Sequence, residues 1–339
     1  MATRYVDKVA NLAEIVNRPD AAGIGMYNGG LYANLSGTPF LIAANPAGKI
    51  YYVDANSGSD SDDGRSWEKA FLTMSKALTS VASGDTVYFR GKVREQLVAP
   101  SRVFDVTIIG AGNRTRHADN SPANGELAAN TWTTPASGAT TAALLRVTQQ
   151  GWRFVNILFA GPTDHACIEL YRTADSGDSE RDASHAEFID CRFASGYDGI
   201  YDSGGCYHVG VYGCTFEALS NFCIRGIGNV GAGQALWQLR DNHFGSFTNG
   251  VRCSFSRSVI SGNFFQDGGT PATTVVLNTT GTSGIAADNF VVGNFFQTTT
   301  ANFNSPDIVG NSTDVWAVNA SIDSTSAGVG GNYEWGQPA

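Results

Sequence analysis

Two aspartates and an arginine in neighbouring apolar segments have the residue types and spacing that best suit catalysis. Asp198 and Asp202 flank the short segment 199–201, and Arg225 follows the matching segment 223–224 further along the chain. A pair of carboxylates about 5–9 Å apart supports glycoside hydrolysis. The alternative is a solvated turn in which both aspartates make local hydrogen bonds. The three residues are therefore conditional catalytic candidates, and no catalytic residue is assigned outright.

Six aromatic residues among the same segments are candidates for contact with a sugar or with another subunit. An aromatic face binds a carbohydrate ring, and it packs equally well against a protein partner. Both interpretations stay open. The candidates, which we expect to be exposed, are Trp152, Tyr197, Tyr201, Tyr207, Tyr212 and Trp237.

An acidic loop at residues 57–64 is a candidate for Ca²⁺ binding through Asp60, Asp62 and Asp63. Ca²⁺ prefers oxygen ligands, but the spacing does not match an EF-hand. The alternative is an Asx-rich turn leading into a helix, where acidic residues favour the helix N-terminus. No paired histidine motif and no phosphate-binding loop occurs in a suitable context. We therefore predict neither a metal site nor a cofactor.

Composition and charge exclude several classes of protein. The chain has 22 Lys and Arg against 31 Asp and Glu, a net charge of −9, and no basic stripe that would bind nucleic acid. No apolar run approaches the roughly 20 residues that span a bilayer, so no membrane insertion is expected. The six cysteines form no CxxC pair. We predict that they are buried, reduced thiols.

A six-residue signature recurs six times and predicts the fold. First-position spacings of 34, 23, 28, 21 and 31 residues are typical of a solenoid whose coils differ by inserted loops. The sixth position is always Phe, and the fourth position changes from Ile through Cys to Asn. The copies are FVNILF (154–159), FIDCRF (188–193), VYGCTF (211–216), LRDNHF (239–244), ISGNFF (260–265) and VVGNFF (291–296).

Each signature is followed by a second apolar segment, so we expect a coil of two strands, with fourth and sixth positions facing inward. The Phe residues should then stack from coil to coil at the spacing of neighbouring strands. The Asn residues should form an amide ladder that satisfies backbone groups at a turn. The predicted stack is Phe159, Phe193, Phe216, Phe244, Phe265 and Phe296, and the predicted ladder is Asn242, Asn263 and Asn294.

Residues 50–98 contain a strand, an acidic loop, an amphipathic helix at about 66–82 with Ser66 as its N-cap, and a further strand beginning GDTVY. This segment resembles the N-terminal entry of the right-handed parallel β-helix proteins of the pectate-lyase-like superfamily. The resemblance implies an all-β, right-handed parallel β-helix whose first coil is covered by the helix. The NTD, GHG and RIK motifs of the galacturonase branch are absent.

We predict three regions in the chain. Residues 1–48 form an attachment segment with a helix at 6–17 and hairpins at 25–43, residues 49–313 form the β-helix, and residues 314–339 form a β-rich C-terminal cap. This arrangement resembles bacteriophage tailspikes and other virion surface proteins. The resemblance implies a homotrimeric spike, fibre or decoration protein that is assembled in the host cytoplasm. It would bind other virion proteins through residues 1–48 and host surface polysaccharide through the β-helix.

Two other functions stay open at this point. A polysaccharide lyase or glycosidase, including a depolymerising tailspike, would use carboxylates such as Asp198 and Asp202. A non-catalytic secreted adhesin would need a cleaved leader, which this sequence does not show. Assays for new reducing ends or unsaturated uronates separate the first of these from a purely binding protein.

Overall fold

The computed structural model describes most of the chain from residue 24 onward. The described residues are 24–27, 30–35, 38–43, 48–112, 130–136, 140–172, 182–226, 234–267, 277–280, 288–298, 308–310, 312–323 and 333–335. The predicted helix at 6–17 lies outside them. Within the predicted attachment segment, strands Ile24–Tyr27, Gly30–Leu35 and Thr38–Ala43 form a separate antiparallel sheet.

The entry to the solenoid contains a shorter helix than the sequence predicts. A 3-10 turn at Trp67–Lys69 and an α-helix at Met74–Ser80 replace the single helix expected at 66–82. Between them Phe71 is extended, and its backbone bonds to Tyr52 and Asp54 of the first strand. Because the segment pairs with this strand, the helix begins only after Thr73. Thr73, not Ser66, is the helix N-cap.

Three parallel sheets run along the molecule and form the faces of the solenoid. The strands of face 1 are Ile50–Asp54, Thr86–Arg94, Thr107–Gly110, Arg153–Val155, Glu187–Ile189, Gly210–Tyr212, Gln238–Arg240, Val259–Ser261, Phe290–Val292 and Val315–Ala317. The end of Thr86–Arg94 also begins face 2, which continues with Asn130–Thr133, Leu158–Ala160, Arg192–Ala194, Thr215–Glu217, His243–Phe247, Phe264–Asp267, Phe295–Thr298 and Asn319–Asp323.

Face 3 completes each coil. Its strands are Leu97–Val98, Leu145–Val147, Ala166–Leu170, Asp198–Asp202, Phe222–Gly226, Asn249–Arg252, Leu277–Asn278 and Ile308–Val309. A short parallel pair, Gln234–Ala235 with Phe255–Ser256, lies beside the main faces. The fold is a right-handed parallel β-helix, as predicted. Each complete coil contributes three strands rather than the two expected, because the signature itself bends.

The bend lies at the third signature position, which has positive φ in all six copies. Glycine adopts this conformation freely, and Asn and Asp tolerate it better than other residues. One half of each signature therefore belongs to face 1 and the other half to face 2. The six residues at the bend are Asn156, Asp190, Gly213, Asp241, Gly262 and Gly293.

The interior holds the predicted column of stacked rings. The six signature Phe side chains are buried, and successive ring centroids are 5.2, 4.6, 4.9, 4.6 and 5.0 Å apart. A second stack joins Phe154 to Phe188 at 5.2 Å. The predicted Phe column is confirmed, and with it the register of the coils.

The predicted amide ladder is also present at the bend. The Asn242 Nδ2 donates to the Asn263 Oδ1, and the Asn263 Nδ2 donates to the Asn294 Oδ1, both at 2.9 Å. Each amide also donates to a backbone carbonyl of the preceding coil. Asn319 continues the ladder beyond the predicted residues. The ladder therefore satisfies buried backbone groups that the bend takes out of the sheets.

Parallel pairing continues past residue 313, the predicted end of the β-helix. Val315–Ala317 pairs with face 1 and Asn319–Asp323 with face 2, and Tyr333–Trp335 then returns antiparallel to the latter. All six cysteines are buried and unpaired, as predicted. Among the described residues no helix has the length and apolar character needed to cross a bilayer.

Candidate functional site

A column of polar side chains runs along the outside of face 3. Arg146, Glu169, Tyr201, Arg225 and Arg252 occupy register-matched positions on five consecutive strands. In each strand the neighbouring residues are more buried, so alternation directs these five side chains outward. We call these five residues the face-3 column.

The upper part of the face-3 column lines a groove of about 250 Å³. Its polar lining includes Arg146, His165, Glu169, Tyr201 and Arg225. The buried Asp198 lies at the same groove, and Tyr197 precedes it. A concave site with a few convergent polar groups is the usual form of a small-ligand site.

Two ion pairs organise the groove. The Arg146 Nε lies 2.7 Å from the Glu169 Oε2, and the Ser203 hydroxyl donates to the other Glu169 oxygen at 3.0 Å. One coil further, the Arg225 Nη2 lies 2.7 Å from the Asp198 Oδ2. In the register of the sheet Tyr201 stands between Glu169 and Arg225, and the Arg225 guanidinium lies 4.3 Å from the centroid of its ring.

Asp198 is fully engaged by internal donors. Its Oδ1 accepts from the Asn221 side chain at 2.8 Å and the Phe222 N–H at 3.0 Å, while both Oδ2 contacts come from Arg225. Burial raises the pKa of Asp198, and the Arg225 charge and these hydrogen bonds oppose that shift. Its side chain is only 1% exposed. The alternative of a solvated turn is therefore wrong for this residue, which belongs to a strand.

Asp202 lies inside the solenoid and does not join Asp198. Its Oδ1 accepts hydrogen bonds from the backbone N–H groups of Gly204 and Gly205. Its Oδ2 accepts from the Cys206 backbone N–H and from the Gln234 side-chain amide. The two aspartates stand at opposite ends of one strand, four residues or about 13 Å apart along it. The structure therefore brings Asp198 to Arg225 but keeps Asp202 away from both.

The six aromatic candidates divide between the groove, other surfaces and the core. Tyr197 and Tyr201 line the groove, whereas Tyr207 lies beneath Arg172 and Tyr212 lies on face 1.

The expectation that Trp152 and Trp237 are exposed is wrong. Both are completely buried, and their indole N–H groups donate to the carbonyls of Val103 and Cys206. Because an indole can satisfy its single polar atom internally, its size favours the core.

The acidic loop 57–64 organises the entry to the capping helix. Asp60 accepts from the Leu72 and Thr73 N–H groups and from the Thr73 hydroxyl, and Asp63 accepts from the Arg65 N–H. The Asp62 backbone N–H donates to the Ser59 carbonyl at 3.0 Å. No group of three or more potential metal-ligating side chains occurs in the part of the chain that the structure describes. Asp63 therefore forms a local Asx turn, as the alternative expects, whereas Asp60 bonds across the loop to residues 72 and 73 at the start of the helix.

Sequence reasoning missed half of the groove. Arg146 and Glu169 each stand one residue before a buried residue of a face-3 strand, at the position that Tyr201 and Arg225 occupy in later coils. Aligning the second apolar segments on Leu145, Ile168, Ile200 and Ile224 would place all four residues on one line. The inserted loops of unequal length hide that alignment in the sequence.

Comparison with known proteins finds likeness at the level of the fold. No family model matches the chain. No curated protein matches it either. Among solved structures, pectate lyase Pel9A is 12% identical over 80% of this chain and 79% of its own, with a TM-score of 0.47.

Two further solved structures are similar to a comparable degree. A rhamnogalacturonan lyase is 15% identical over 74% of this chain and 69% of its own, with a TM-score of 0.47. The Dettilon tailspike protein is 12% identical over 71% and 54%, with a TM-score of 0.40. These likenesses concern the fold alone. The strand pairing of the chain itself identifies it as a parallel β-helix.

Proposed function

We propose that this chain is a virion surface protein, a spike, fibre or decoration protein, whose β-helix binds a host-surface glycan without cleaving it. The observation that supports the binding role is the groove on face 3, where Tyr201 stands between Glu169 and Arg225, each of which is held by an ion pair. The particle role is supported by the order of the chain, in which a separate small β-sheet precedes a capped solenoid.

The groove offers the contacts that a sugar ring needs. The Tyr197 and Tyr201 side chains provide aromatic surface, while Arg146 donates hydrogen bonds and Glu169 accepts them. Both charged groups are already fixed by their ion pair, so little side-chain entropy is lost when a ligand binds. The groove is therefore preorganised for a ligand with many hydroxyl groups.

The same groove supports binding better than cleavage. Glycosidases need one carboxyl group that protonates the leaving oxygen and a second that attacks or activates water. Three carboxylates, Asp164, Glu169 and Asp198, do line this groove, and this favours a polysaccharide-degrading enzyme as the second candidate. However, four internal donors occupy Asp198, and Glu169 bonds to Arg146 and Ser203. Asp198 is therefore closed to a substrate, whereas Glu169 and the exposed Asp164 are placed to accept hydrogen bonds from sugar hydroxyls.

A glycan array tests the proposal with matched tyrosine variants. Replacing Tyr201 by Ala removes the ring in the groove, and we expect glycan binding to weaken about tenfold, or roughly 1.4 kcal/mol. Tyr212→Ala is the control, because Tyr212 lies on the outside of face 1. Equal binding by both variants would contradict the groove assignment. Release of reducing ends or unsaturated uronates from a bound glycan would establish the enzyme instead.

A further inference from the structure

We infer that the glycan carries an anionic group and that this group binds at Arg252, one coil beyond Arg225 on the face-3 column. This inference rests on the proposed function and specifies its ligand. A carboxylate, a sulfate or a phosphate substituent has the required chemistry, since each presents oxygens to the planar fork of a guanidinium group.

The position of Arg252 continues the groove. Arg225 and Arg252 are direct register partners on neighbouring parallel strands, which lie about 4.8 Å apart. Both are the outward, half-buried residues of strands whose neighbouring positions are buried. A glycan that occupies the groove beside Tyr201 and extends along the column therefore reaches Arg252 within one or two sugar rings.

The two arginines differ in how their charges are balanced. The Arg225 guanidinium bonds to Asp198 through two nitrogens, at 3.1 and 2.7 Å. Arg252 has no ion pair with any residue in the described ranges, and its buried Nε has no hydrogen-bond partner there. Like charges directly opposite each other on neighbouring strands are unfavourable. An anion bound between the outer nitrogens of the two guanidinium groups would relieve that repulsion.

The local charge here differs from that of the whole chain. The net charge of −9 disfavours acidic sugars in general. The face-3 column, however, has three guanidinium groups and, with Asp198, two carboxylates, both of which are already paired. Asp164, the remaining carboxylate of the groove, precedes a strand three coils from Arg252, or about 14 Å along the axis. The unbalanced positive charge is therefore concentrated at the Arg252 end.

Saturation-transfer NMR with glucuronate and glucose tests this inference. The two sugars differ only at C6, which is a carboxylate in glucuronate and a hydroxymethyl group in glucose. We expect transfer to glucuronate in the full-length chain and in Arg240→Gln, but a loss of at least fivefold in Arg252→Gln. Arg240 is an exposed arginine on face 1 and controls for loss of charge alone. Competition by sulfate or phosphate identifies which anion is preferred. Thermal unfolding of Arg252→Gln checks that the variant is folded.

The outcomes separate this inference from the proposed function. Equal glucuronate transfer in Arg252→Gln, or none in the unaltered chain, overturns the anion site. If neutral glycans still bind on the array and depend on Tyr201, the binding function stands without it. If no glycan binds and glucuronate transfer still requires Arg252, the anion site stands and the glycan function fails.

Discussion

At the scale of single residues, Asp202 shows that a carboxylate in this fold can be structural. It receives three backbone N–H groups from the turn 204–206 and one amide from Gln234 of the next coil. It thereby satisfies donors that would otherwise be buried without partners. Burial dominates its electrostatics and raises its pKa above the ordinary value of 3.8.

This raised pKa predicts the direction of a pH effect. Since the folded state holds the proton of Asp202 more tightly than the unfolded state, its contribution to stability is greatest below about pH 4 and falls as pH rises through the folded-state pKa. Asp202→Asn lacks this titration. We expect the stability advantage of the unaltered chain over the variant to shrink from pH 4 to pH 7, as measured by urea denaturation. A constant difference would contradict this assignment.

The sequence predicts which residues are chemically capable, but not which are accessible. Asp198 and Arg225 were identified from their positions around apolar segments, and the structure does bring them together. The same reasoning placed Trp152 and Trp237 on the surface, although both are buried. Their burial depends on carbonyls 49 and 31 residues away in the chain, which no local pattern reveals.

At the scale of elements, the signature combines a bend with a ladder. The fourth position is occupied by Cys in earlier coils and by Asn in later ones. Both side chains donate a hydrogen bond to a backbone carbonyl of the preceding coil. The Cys214 thiol donates to the Phe188 carbonyl at 3.5 Å, and the Asn242 amide donates to the equivalent Val211 carbonyl at 2.9 Å. Asn binds more strongly, because an amide is a better donor than a thiol.

This equivalence predicts a ranking of substitutions at Asn242. Asn242→Ala leaves the Val211 carbonyl and the Cys214 N–H without their partner, and we expect a loss of about 2–3 kcal/mol. Asn242→Cys should lose less stability, because its thiol can still donate to the Val211 carbonyl as the Cys214 thiol donates to the Phe188 carbonyl one coil earlier. Asn242→Val fills the volume without a donor and serves as the control. Urea unfolding midpoints measure the ranking, and equal losses for Cys and Val would refute it.

The sequence predicts the interior of the coils well, but it predicts the bend and the start of the capping helix less well. The Phe stack and the Asn ladder follow from identical residues at fixed positions. The bend within the signature was missed, although Asn, Asp and Gly at the third position are a recognisable sign of positive φ. The helix start was also misplaced, because Phe71 fits a helical apolar face and yet pairs with the first strand.

At the scale of the whole molecule, the solenoid and the N-terminal sheet are built separately. Among the strands that the structure describes, the three between residues 24 and 43 pair with one another and with no other, while the parallel pairing of the β-helix begins with Ile50–Asp54. The capping residues Met74, Ala77 and Leu78 all lie within the β-helix region. The chain from residue 49 onward therefore contains both the first coil of the solenoid and the helix that caps it.

Deleting residues 1–48 tests the proposed attachment role. We expect the shortened chain to keep the β-sheet circular dichroism of the solenoid and a melting temperature within a few degrees, because no described ladder pairing of the β-helix is lost. It should no longer bind particles that bind the full-length chain. Sedimentation of the full-length chain should give three times 35.8 kDa for the proposed homotrimer. Particle binding by the shortened chain would remove the attachment role, and a monomer mass would remove the trimer.

The stacked rings have a consequence for which changes of sequence this fold can accept. Five steps of the Phe column advance about 24 Å, although the stretches of chain between successive signatures differ by up to 13 residues. Distance along the axis is thus counted in turns and is independent of loop length. Loops can therefore lengthen, shorten or acquire new side chains while the surface groups on the coils above and below keep their separation.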